Sequence, residues 1–394
     1  MRLLHVVPTY LPAVRYGGPI VAVHGLCRAL AARGHSVEVF TTSIDGPANS
    51  AVPHGVPVML DGVKVRYFAS NVMRRLAWAP ALAPVLRREM SGADVAHLHS
   101  VFLWPTAVAA RIARKSRIPY VISPRGMLVK RLIEARHRLI KSAWIGLIEK
   151  SNLEQASAIH ATSTIEAAEL EAFGWRLRRL TTVPNGVDGI EDAGAREPSP
   201  DIAALAHEQP LLLFFGRMAR VKGLDRLLRA FARSRHGTLG IVGTDYDGLA
   251  PRLSDLAREL NIGDRVRIVP RTVTGVDKEF VFAAARAFVL PSYSESFSNS
   301  VLEAMQRGLP VIVTQEVGAA EIVRQAGGGF VVDGDAEPLG NAIDRLLDDA
   351  VLGRSLGEAG RRYVGENYGW PSVAARMEAV YESLRGEGAP ACSI

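Results

Sequence analysis

The chain has 394 residues, a length typical of two or three domains. Apolar residues make up 48% of it and charged residues 22%, the balance of a soluble globular protein with enough apolar material for two cores. Its two cysteines, Cys27 and Cys392, exclude a disulfide framework and suit a reducing cytoplasm. The N-terminal run stops at Pro8 and predicts a strand rather than a signal peptide, and the apolar stretch 76–86 is too short to cross a bilayer. We therefore expect a cytoplasmic protein that is not integral to a membrane.

Charge is distributed unevenly along the chain. Residues 1–196 carry 25 basic against 14 acidic side chains, a net charge of +11, and the remainder carries 22 against 26, a net charge of −4. A basic half suits an anionic membrane surface or nucleic acid, and an ordinary solvated surface is the alternative.

Short β-branched runs alternate with longer helical patterns, which is typical of βαβ units in parallel sheets. In the first half this pattern predicts a helix over 19–33 that ends before Gly34, and strands near 3–7, 36–41, 64–68, 94–98, 119–123, 157–161 and 180–183. In the second half it predicts a last helix over about 371–384, and strands near 211–215, 237–242, 265–269, 287–291, 310–314 and 329–332.

An acidic stretch rich in Pro, Ala and Gly separates the two halves. We predict an N-terminal domain over 1–190, a linker over 191–210 and a C-terminal domain over 211–368. A helix over 369–386 is expected to return to the first domain, and the tail 387–394 is expected to be disordered. The fold class is α/β, with two Rossmann-like doubly wound domains facing a central cleft at the carboxyl ends of their strands.

The most specific motif follows the predicted strand that ends at residue 291. It reads PSYSESFSNSVLE over residues 291–303, and seven residues separate Glu295 from Glu303. The first glutamate is expected on the loop and the second about one turn inside a helix, so that both face a ligand. Ser298 and Asn299 are helix-capping types, and the N–H groups of a helix start suit a phosphate. An unremarkable loop charge and surface glutamate are the alternative interpretation.

This segment resembles the E-x7-E motif of retaining GT-B glycosyltransferases, family four in particular, and the resemblance extends over essentially the whole chain. The resemblance implies that Glu295 contacts the donor sugar and that Glu303 holds the ribose hydroxyls. It also implies that backbone N–H groups around Phe297, Ser298 and Asn299 help to bind sugar or phosphate oxygens.

A second motif opens the second domain, with LLFFGR at 212–217 and KGL at 222–224. A strand ends before Gly216, so Arg217 and Lys222 lie on the loop that a phosphate would meet. Two cations there can neutralise a departing diphosphate. The resemblance implies that they are the diphosphate-binding pair of the family, and two solvated loop cations are the alternative.

Two further segments of the first half are candidates. Paired Gly17 and Gly18 follow the first strand and allow a close approach of the backbone to a ligand, and the resemblance implies that they face the diphosphate. His97 and His99 alternate on one face of a strand, and His99 resembles the histidine that lines the sugar site of the family. No third ligand lies nearby in sequence, so we expect no metal there.

Arg125 lies in the segment SPRGM, which resembles part of the bacterial polysaccharide and O-antigen enzymes of this family. The resemblance implies a contact with acceptor or donor, and a turn with a surface arginine is the alternative. Asn185, at the domain junction, matches a family signature, and a hinge turn is its alternative role.

The chain departs from the family pattern at three places. Residues 241–246 lack the second glycine that the family often has after this strand. Residues 269–272 lack the glycine that the family usually has near the nucleotide base, and residues 316–319 have one glycine where two are frequent. We expect the donor to be a UDP-sugar or a GDP-sugar, and these departures leave the sequence unable to distinguish the two. The resemblance implies front-face transfer with no metal or cofactor.

Three other functions are compatible with parts of the sequence. A nucleotide-sugar epimerase or hydrolase of the same fold stays open. A dinucleotide oxidoreductase is not supported because no G-x-G-x-x-G follows the first strand. A nucleic-acid-binding protein would fit the pI near 9.6 but not the paired glutamates.

The expected partners are thus a nucleotide sugar and a glycan or lipid-linked glycan acceptor, and not nucleic acid. Two segments, residues 73–88 and 130–147, mix cations with apolar residues. They suit peripheral contact with an anionic membrane surface at the inner face, and a solvated helix whose apolar face packs on the sheet is the alternative.

Overall fold

The computed structural model describes residues 1–13, 15, 17–130, 133, 144–190, 197–206 and 210–385. It forms two compact units: Met1–Gly186 with Trp370–Ile394, and Val187–Gly369. The described residues do not include Tyr16, which precedes the Gly17–Gly18 pair, or Arg131, Arg136, Arg138 and Lys141 of the basic segment 130–147. Residues 191–196 and 207–209 of the predicted linker and the predicted disordered tail also lie outside them.

The first unit is built from strands joined by helices. Its strands are β1 (Arg2–Thr9), β2 (Ser36–Thr42), β3 (Ile44–Asp45), β4 (Ala48–Asn49), β5 (Pro57–Leu60), β6 (Val63–Phe68), β7 (Val95–His99), β8 (Tyr120–Ser123), β9 (Ala158–Ala161) and β10 (Leu180–Thr182). Its helices before the domain boundary are α1 (Gly18–Ala32), α2 (Leu82–Met90), α3 (Trp104–Ser116), α4 (Lys150–Glu154) and α5 (Thr164–Glu171). A π-helical turn, Ile145–Glu149, leads directly into α4.

Eight of these strands form one sheet in the order β10-β9-β8-β7-β1-β2-β6-β5, parallel except for the edge strand β5. Side chains alternate between its faces: Leu4 and Val6 pack under α2 and α3, while Leu3 and Val7 pack under α1. Apolar cores thus cover both faces, as a parallel sheet requires. The sequence did not predict β3, β4 or β5, because two-residue strands carry no periodicity and β5 begins with a proline at the sheet edge.

The second unit is a smaller doubly wound sheet. Its strands are β11 (Leu211–Phe215), β12 (Thr238–Val242), β13 (Val266–Val269), β14 (Ala287–Leu290), β15 (Val311–Thr314) and β16 (Gly329–Val332), all parallel in the order β13-β12-β11-β14-β15-β16. Its helices are α6 (Pro200–Ala206), α7 (Leu224–Phe231), α8 (Ala250–Glu259), α9 (Gly275–Ala284), α10 (Asn299–Gln306), α11 (Ala320–Ala326), α12 (Ala336–Asp348) and α13 (Ala350–Asn367). The two parallel-sheet units confirm the predicted α/β class.

Helix α6 falls inside the stretch that the sequence indicated as a linker. Ile202 and Leu205, three residues apart, are 0% and 1% exposed in the core of the second unit. Two apolar residues are too few to show a helical period within a Pro- and Ala-rich stretch, so composition concealed the helix.

The last helix, α14 (Trp370–Arg385), belongs to the first unit. Met377 and Tyr381 are fully buried and join the core beneath α1. The indole of Trp370 lies between two glycines: a Cβ built on Gly25 or Gly186 would come within 2.2 or 2.5 Å of the ring. Within the described residues, no helix combines the length and apolarity needed to cross a membrane.

We expect Gly25→Ala to destabilise the first unit by about 1–3 kcal/mol, since the methyl group would overpack the Trp370 ring. Helix propensity alone predicts the reverse, a gain of about 1 kcal/mol. Gly353→Ala, in α13, is the matched control because the nearest atom to its Cβ is 3.8 Å away. Thermal unfolding of both variants checks this packing. A Gly25→Ala protein as stable as the control variant would contradict it.

Candidate active site

The strand order of each sheet reverses beside its first strand. The reversal lies between β1 and β7 in the first unit and between β11 and β14 in the second. Open α/β sheets bind ligands at the carboxyl ends of strands at such a switch point. Six of the predicted residues occupy these positions: Gly17 and Gly18 follow β1, His99 ends β7, Gly216 and Arg217 follow β11, and Glu295 follows β14.

The loop after β11 is held by close backbone packing. The Gly216 N–H donates to the Val242 carbonyl at 3.0 Å, and a Cβ built on Gly243 would lie 2.1 Å from the Gly216 carbonyl oxygen. The partly exposed Arg217 lies over the Tyr246 ring, with 5.1 Å from its guanidinium carbon to the ring centroid. Tyr246 lies in the segment that lacks the family's second glycine, and here it supports the cation.

The same loop then turns back against the end of β14. Gly223 adopts a left-handed φ of 66°, and a Cβ there would lie 2.0 Å from the Pro291 carbonyl oxygen. The Tyr293 N–H donates to the Val221 carbonyl at 2.8 Å, which ties the two loops together. This approach requires a glycine on steric grounds, because both the backbone conformation and the space exclude a side chain.

The packing brings two of the predicted residues into contact. Lys222 and Glu295 form an ion pair through Nζ and Oε2, with side chains 12% and 21% exposed. The Glu295 backbone is fixed as well: its N–H donates to the Glu316 carbonyl at 3.1 Å, and its carbonyl accepts from the Gly318 N–H at 2.7 Å. A cation and a carboxylate are therefore held at the switch point of the second sheet.

Helix α10 begins directly after this loop. Phe297 is buried at 4% exposure, and Ser298 has a positive φ of 88° without a side-chain cap bond. Its hydroxyl instead lies 3.2 Å from that of Ser300. The start of α10 therefore has no cap from the Ser298 side chain. A helix start is a position that suits the binding of an anion.

Glu303 lies on α10 with a cation of its own. Its carboxylate is 3.0 Å from Lys278 Nζ, on α9, and its carbonyl accepts from Arg307 at 2.9 Å. Arg307 is in turn paired with the buried Glu279. The sequence did not identify Lys278, since nothing in its own segment marks it as a partner. Each motif glutamate is thus ion-paired separately, Glu295 to Lys222 and Glu303 to Lys278.

In the first unit, Gly17 precedes α1 with φ 74° and ψ −142°, a conformation that favours glycine. Three histidines gather on the neighbouring strands β1 and β7, and His99 is the last residue of its strand. His5 of β1 pairs in register with His97 of β7, and the rings of His97 and His99 are 4.1 Å apart. The shared face of His97 and His99 was predicted, whereas His5 was missed because its strand partner comes from a distant part of the chain.

The buried histidines form a chain of hydrogen bonds with a definite direction. His160 Nε2 lies 2.7 Å from the Val183 carbonyl, so it donates, and His160 Nδ1 accepts from Ser123 Oγ at 2.6 Å. Ser123 Oγ then accepts from His97 Nε2 at 2.6 Å, and His97 Nδ1 accepts from the Tyr381 hydroxyl at 2.6 Å. One proton arrangement therefore satisfies every member, and it assigns each tautomer.

A second chain joins three of the predicted residues. Arg125 donates to Asn185 Oδ1 at 2.6 Å and to His99 Nδ1 at 3.4 Å. His99 Nε2 is then left to donate to His5 Nδ1 at 3.0 Å. His99 is fully buried with both nitrogens engaged inside the unit, so its predicted contact with a sugar stays a prediction.

Burial keeps these imidazoles neutral. Burial, together with the nearby charge of Arg125, lowers the pKa of His5 and of His160 to about 3. The pKa values of His97 and His99 lie well below the ordinary value for the same first reason, burial. His5, His97 and His99 place their ligand atoms within 4.8 Å of one another, a donor set that zinc accepts. Because both nitrogens of His97 are hydrogen-bonded and a guanidinium lies beside His99, we interpret the cluster as a hydrogen-bond network.

The architecture defines a class: two Rossmann-like units with switch-point loops, as in GT-B glycosyltransferases. Sucrose-phosphate synthase from Thermosynechococcus elongatus has this fold, with a TM-score of 0.76, 24% identity and coverage of 98% of this chain and 100% of that one. The Anabaena protein HepE, solved in complex with UDP and glucose, has a TM-score of 0.73 at 19% identity, over 97% of this chain and 100% of that chain.

Family models and relatives then identify the particular family. The model "Glycosyl transferases group 1" matches residues 195–363, and "Glycosyl transferase 4-like domain" matches residues 17–186. The D-inositol 3-phosphate glycosyltransferase 1 of Catenulispora acidiphila is 30% identical, with 95% of this chain and 93% of the relative covered. That of Thermobispora bispora is also 30% identical, over 93% and 89%. The chain belongs to the group 1 glycosyltransferases.

The histidine network predicts a specific loss of stability in acid. Below pH 6.5, His5 is protonated in the unfolded chain but stays neutral in the folded state. The free energy of unfolding therefore falls as the pH drops from about 6.5 toward 3. One such histidine contributes up to about 1.4 kcal/mol per pH unit in that window. His5→Asn should keep an acceptor near the position of Nδ1 and make this pH dependence shallower by about one histidine.

Denaturant unfolding of the purified protein between pH 7.5 and 5 measures this slope. His54→Gln is the control, since His54 is exposed. If the two variants gave the same slope as the unaltered protein, His5 would not be held neutral in the folded state.

Proposed function

We propose that this glycosyltransferase is a retaining enzyme that transfers a sugar from a UDP- or GDP-sugar to a glycan or lipid-linked glycan without a metal. The observation that carries the proposal is the Lys222–Glu295 ion pair at the switch point of the second sheet. It supports the proposal because a cation suited to a diphosphate lies beside a carboxylate suited to a sugar. The relative solved with UDP and glucose and the glycosyltransferase names of the relatives support a nucleotide-sugar donor.

In the proposed reaction, the bond between the sugar's anomeric carbon and the diphosphate oxygen breaks while the acceptor oxygen bonds to that carbon on the same face. The acceptor's hydroxyl proton passes to a phosphate oxygen. Arg217 and Lys222 neutralise the charge that develops on the leaving diphosphate, which is the role a divalent metal has in other transferases. When the donor binds, Lys222 breaks its ion pair with Glu295 and pairs with the diphosphate instead. The freed Glu295 carboxylate then faces the sugar.

The glutamates have different proposed partners. Glu295 contacts the reacting sugar, Glu303 holds the ribose hydroxyls, and the backbone of Phe297 to Asn299 binds sugar or phosphate oxygens. Gly216, Gly17 and Gly18 let backbone approach the diphosphate, and His99, Arg125 and Asn185 contribute to the sugar or acceptor site of the first unit. These roles come from the family resemblance and from the placement of the residues at strand ends.

The principal test is turnover of labelled UDP- and GDP-sugars with free and lipid-linked glycan acceptors in the presence of EDTA. We expect transfer to continue, and Arg217→Gln and Lys222→Gln each to reduce it by about a hundredfold or more. Arg220→Gln, on the same turn but exposed, is the control. NMR of the product should show the donor's anomeric configuration.

Three results would count against the proposal. A strict requirement for magnesium would contradict the metal-free site, and inversion at the anomeric carbon would contradict retention. Consumption of the donor at the same rate without an acceptor would favour an epimerase or hydrolase.

The two glutamates should separate kinetically. Glu303→Gln should raise the KM for the donor, whereas Glu295→Gln should lower kcat with little change in KM, each by about tenfold to a hundredfold, because each variant loses a hydrogen bond to a charged group. Glu321→Gln, an exposed glutamate on α11, is the control. Steady-state measurements of kcat and KM test this prediction. Wild-type values for both variants would show that neither Glu295 nor Glu303 belongs to the donor site.

We further propose that the first unit contacts the inner face of an anionic membrane peripherally. Exposed Met73 and Leu147, at 56% and 81%, lie in the two basic segments with exposed Arg75 and Lys130. Such mixtures of cations and apolar side chains suit a lipid interface. Arg74 has a different role, since its guanidinium donates to the carbonyls of residues 46, 48 and 70 and so holds its own loop.

Vesicle co-sedimentation tests this surface. Arg75→Glu with Lys130→Glu should reduce binding to anionic vesicles several-fold, since each cation contributes about 1 kcal/mol near such lipids. Arg354→Glu, an exposed charge reversal in the second unit, is the control. Equal recovery on neutral and anionic vesicles would leave a soluble acceptor as the better interpretation.

A further inference from the structure

The turn after β8 places one arginine in an unusual backbone conformation. Arg125 has a left-handed φ of 56° and is followed by Gly126 with φ 73°. A residue with a side chain costs about 1–2 kcal/mol in that region, so such outliers persist where the surrounding structure enforces them. Glu166 does so here, since its Oε1 accepts from the Gly126 N–H at 2.6 Å. The fold therefore holds Arg125 in a fixed position at the carboxyl end of a central strand.

The contacts of the Arg125 guanidinium are with neutral groups. It donates to the Asn185 amide oxygen and to His99 Nδ1, while its Nε–H is buried without a hydrogen-bond partner. Over the residues that the structure describes, no carboxylate oxygen lies within 4.0 Å of it. Glu166 acts on it only through space, because the second Glu166 oxygen accepts from both the N–H and the hydroxyl of Thr162.

The surroundings leave this positive charge uncompensated at close range. The neighbouring imidazoles His5, His99 and His160 are neutral, and the Arg125 charge itself opposes their protonation. Burial also lowers the pKa of Arg125, which reflects the cost of desolvating it. A desolvated charge is ordinarily paired or hydrogen-bonded throughout. Arg125 as a whole residue is half-buried, although its Nε atom is enclosed.

We propose that Arg125 binds an anionic group, a phosphate or a carboxylate, carried by the acceptor. This rests on the proposed transferase function. The guanidinium is planar, and its Nε–H and terminal N–H groups match the paired oxygens of either anion. The acceptor is favoured over the donor because the second unit has its own cations for a diphosphate, Arg217 and Lys222. Arg125 also follows β8, one strand beyond the β1 and β7 switch point where Gly17 and Gly18 lie.

The experiment uses inorganic phosphate as the probe on the full chain saturated with UDP, so that the diphosphate cations are already occupied. Calorimetric titration gives the affinity, and the Arg125 Nε–H signal in NMR spectra, assigned with Arg125→Gln, reports where phosphate binds. We expect Arg125→Gln to weaken phosphate binding tenfold to a hundredfold and Arg125→Lys to weaken it less. Arg117→Gln is the matched control, because Arg117 is exposed, has the same φ of 56°, and precedes β8 at the opposite end of the strand.

The outcomes separate the two proposals. If Arg125→Gln and Arg125→Lys, both folded by circular dichroism, bind phosphate like the unaltered protein, or if the unaltered protein binds none, the inference is overturned even where sugar transfer is normal. If UDP abolishes phosphate binding at Arg125, the anion belongs to the donor, and the assignment to the acceptor is wrong. If phosphate binds at Arg125 beside UDP but no nucleotide sugar is turned over, the anion site stands and the transferase proposal fails.

Discussion

The right-handed crossover between parallel strands is the constraint on which the arrangement of this protein depends. Because every crossover has the same hand, helices reach both faces of a sheet only if the strand order reverses beside the first strand. The reversal occurs between β1 and β7 and again between β11 and β14. In open α/β sheets such a reversal forms a crevice outside the carboxyl ends of the strands, where ligands bind. The contact of Lys222 with Glu295, far apart in sequence, follows from that geometry.

The two units satisfy their polar groups in opposite ways. The second unit pairs opposite charges, and each of its motif glutamates has a lysine partner before any ligand arrives. The first unit instead buries neutral imidazoles in chains of hydrogen bonds that run from Tyr381 to Val183. Neutral networks avoid the desolvation penalty of ions but fix the tautomer of each ring. Arg125 is the exception in the first unit, since its cationic side chain lies among these neutral groups.

Local pattern was sufficient for most of the fold. The β-branched runs predicted β1, β2 and β6 to β10, and all six strands of the second sheet, because buried parallel strands are continuous apolar runs bounded by turns. The same runs predicted the ends of β11 and β14, after which Gly216 and Glu295 lie. Partnerships across the fold were not predictable: Lys278 with Glu303, or His5 with His99, depend on register between elements that no local signal specifies. The short helix α6 was not predicted, because its two buried residues are too few to show a helical period.

The indole of Trp370, enclosed by Gly25 and Gly186, also has a consequence for the order in which the chain matures on the ribosome. The second unit is a continuous segment, so all of its strands are available for folding before α14 is made. The first unit is discontinuous, and its core beneath α1 lacks Met377 and Tyr381 until the last helix has left the exit tunnel. Its sheet must therefore wait, incompletely covered on one face, while the whole of the second unit is synthesised. The half of the protein that is translated first is thus the half that is finished last.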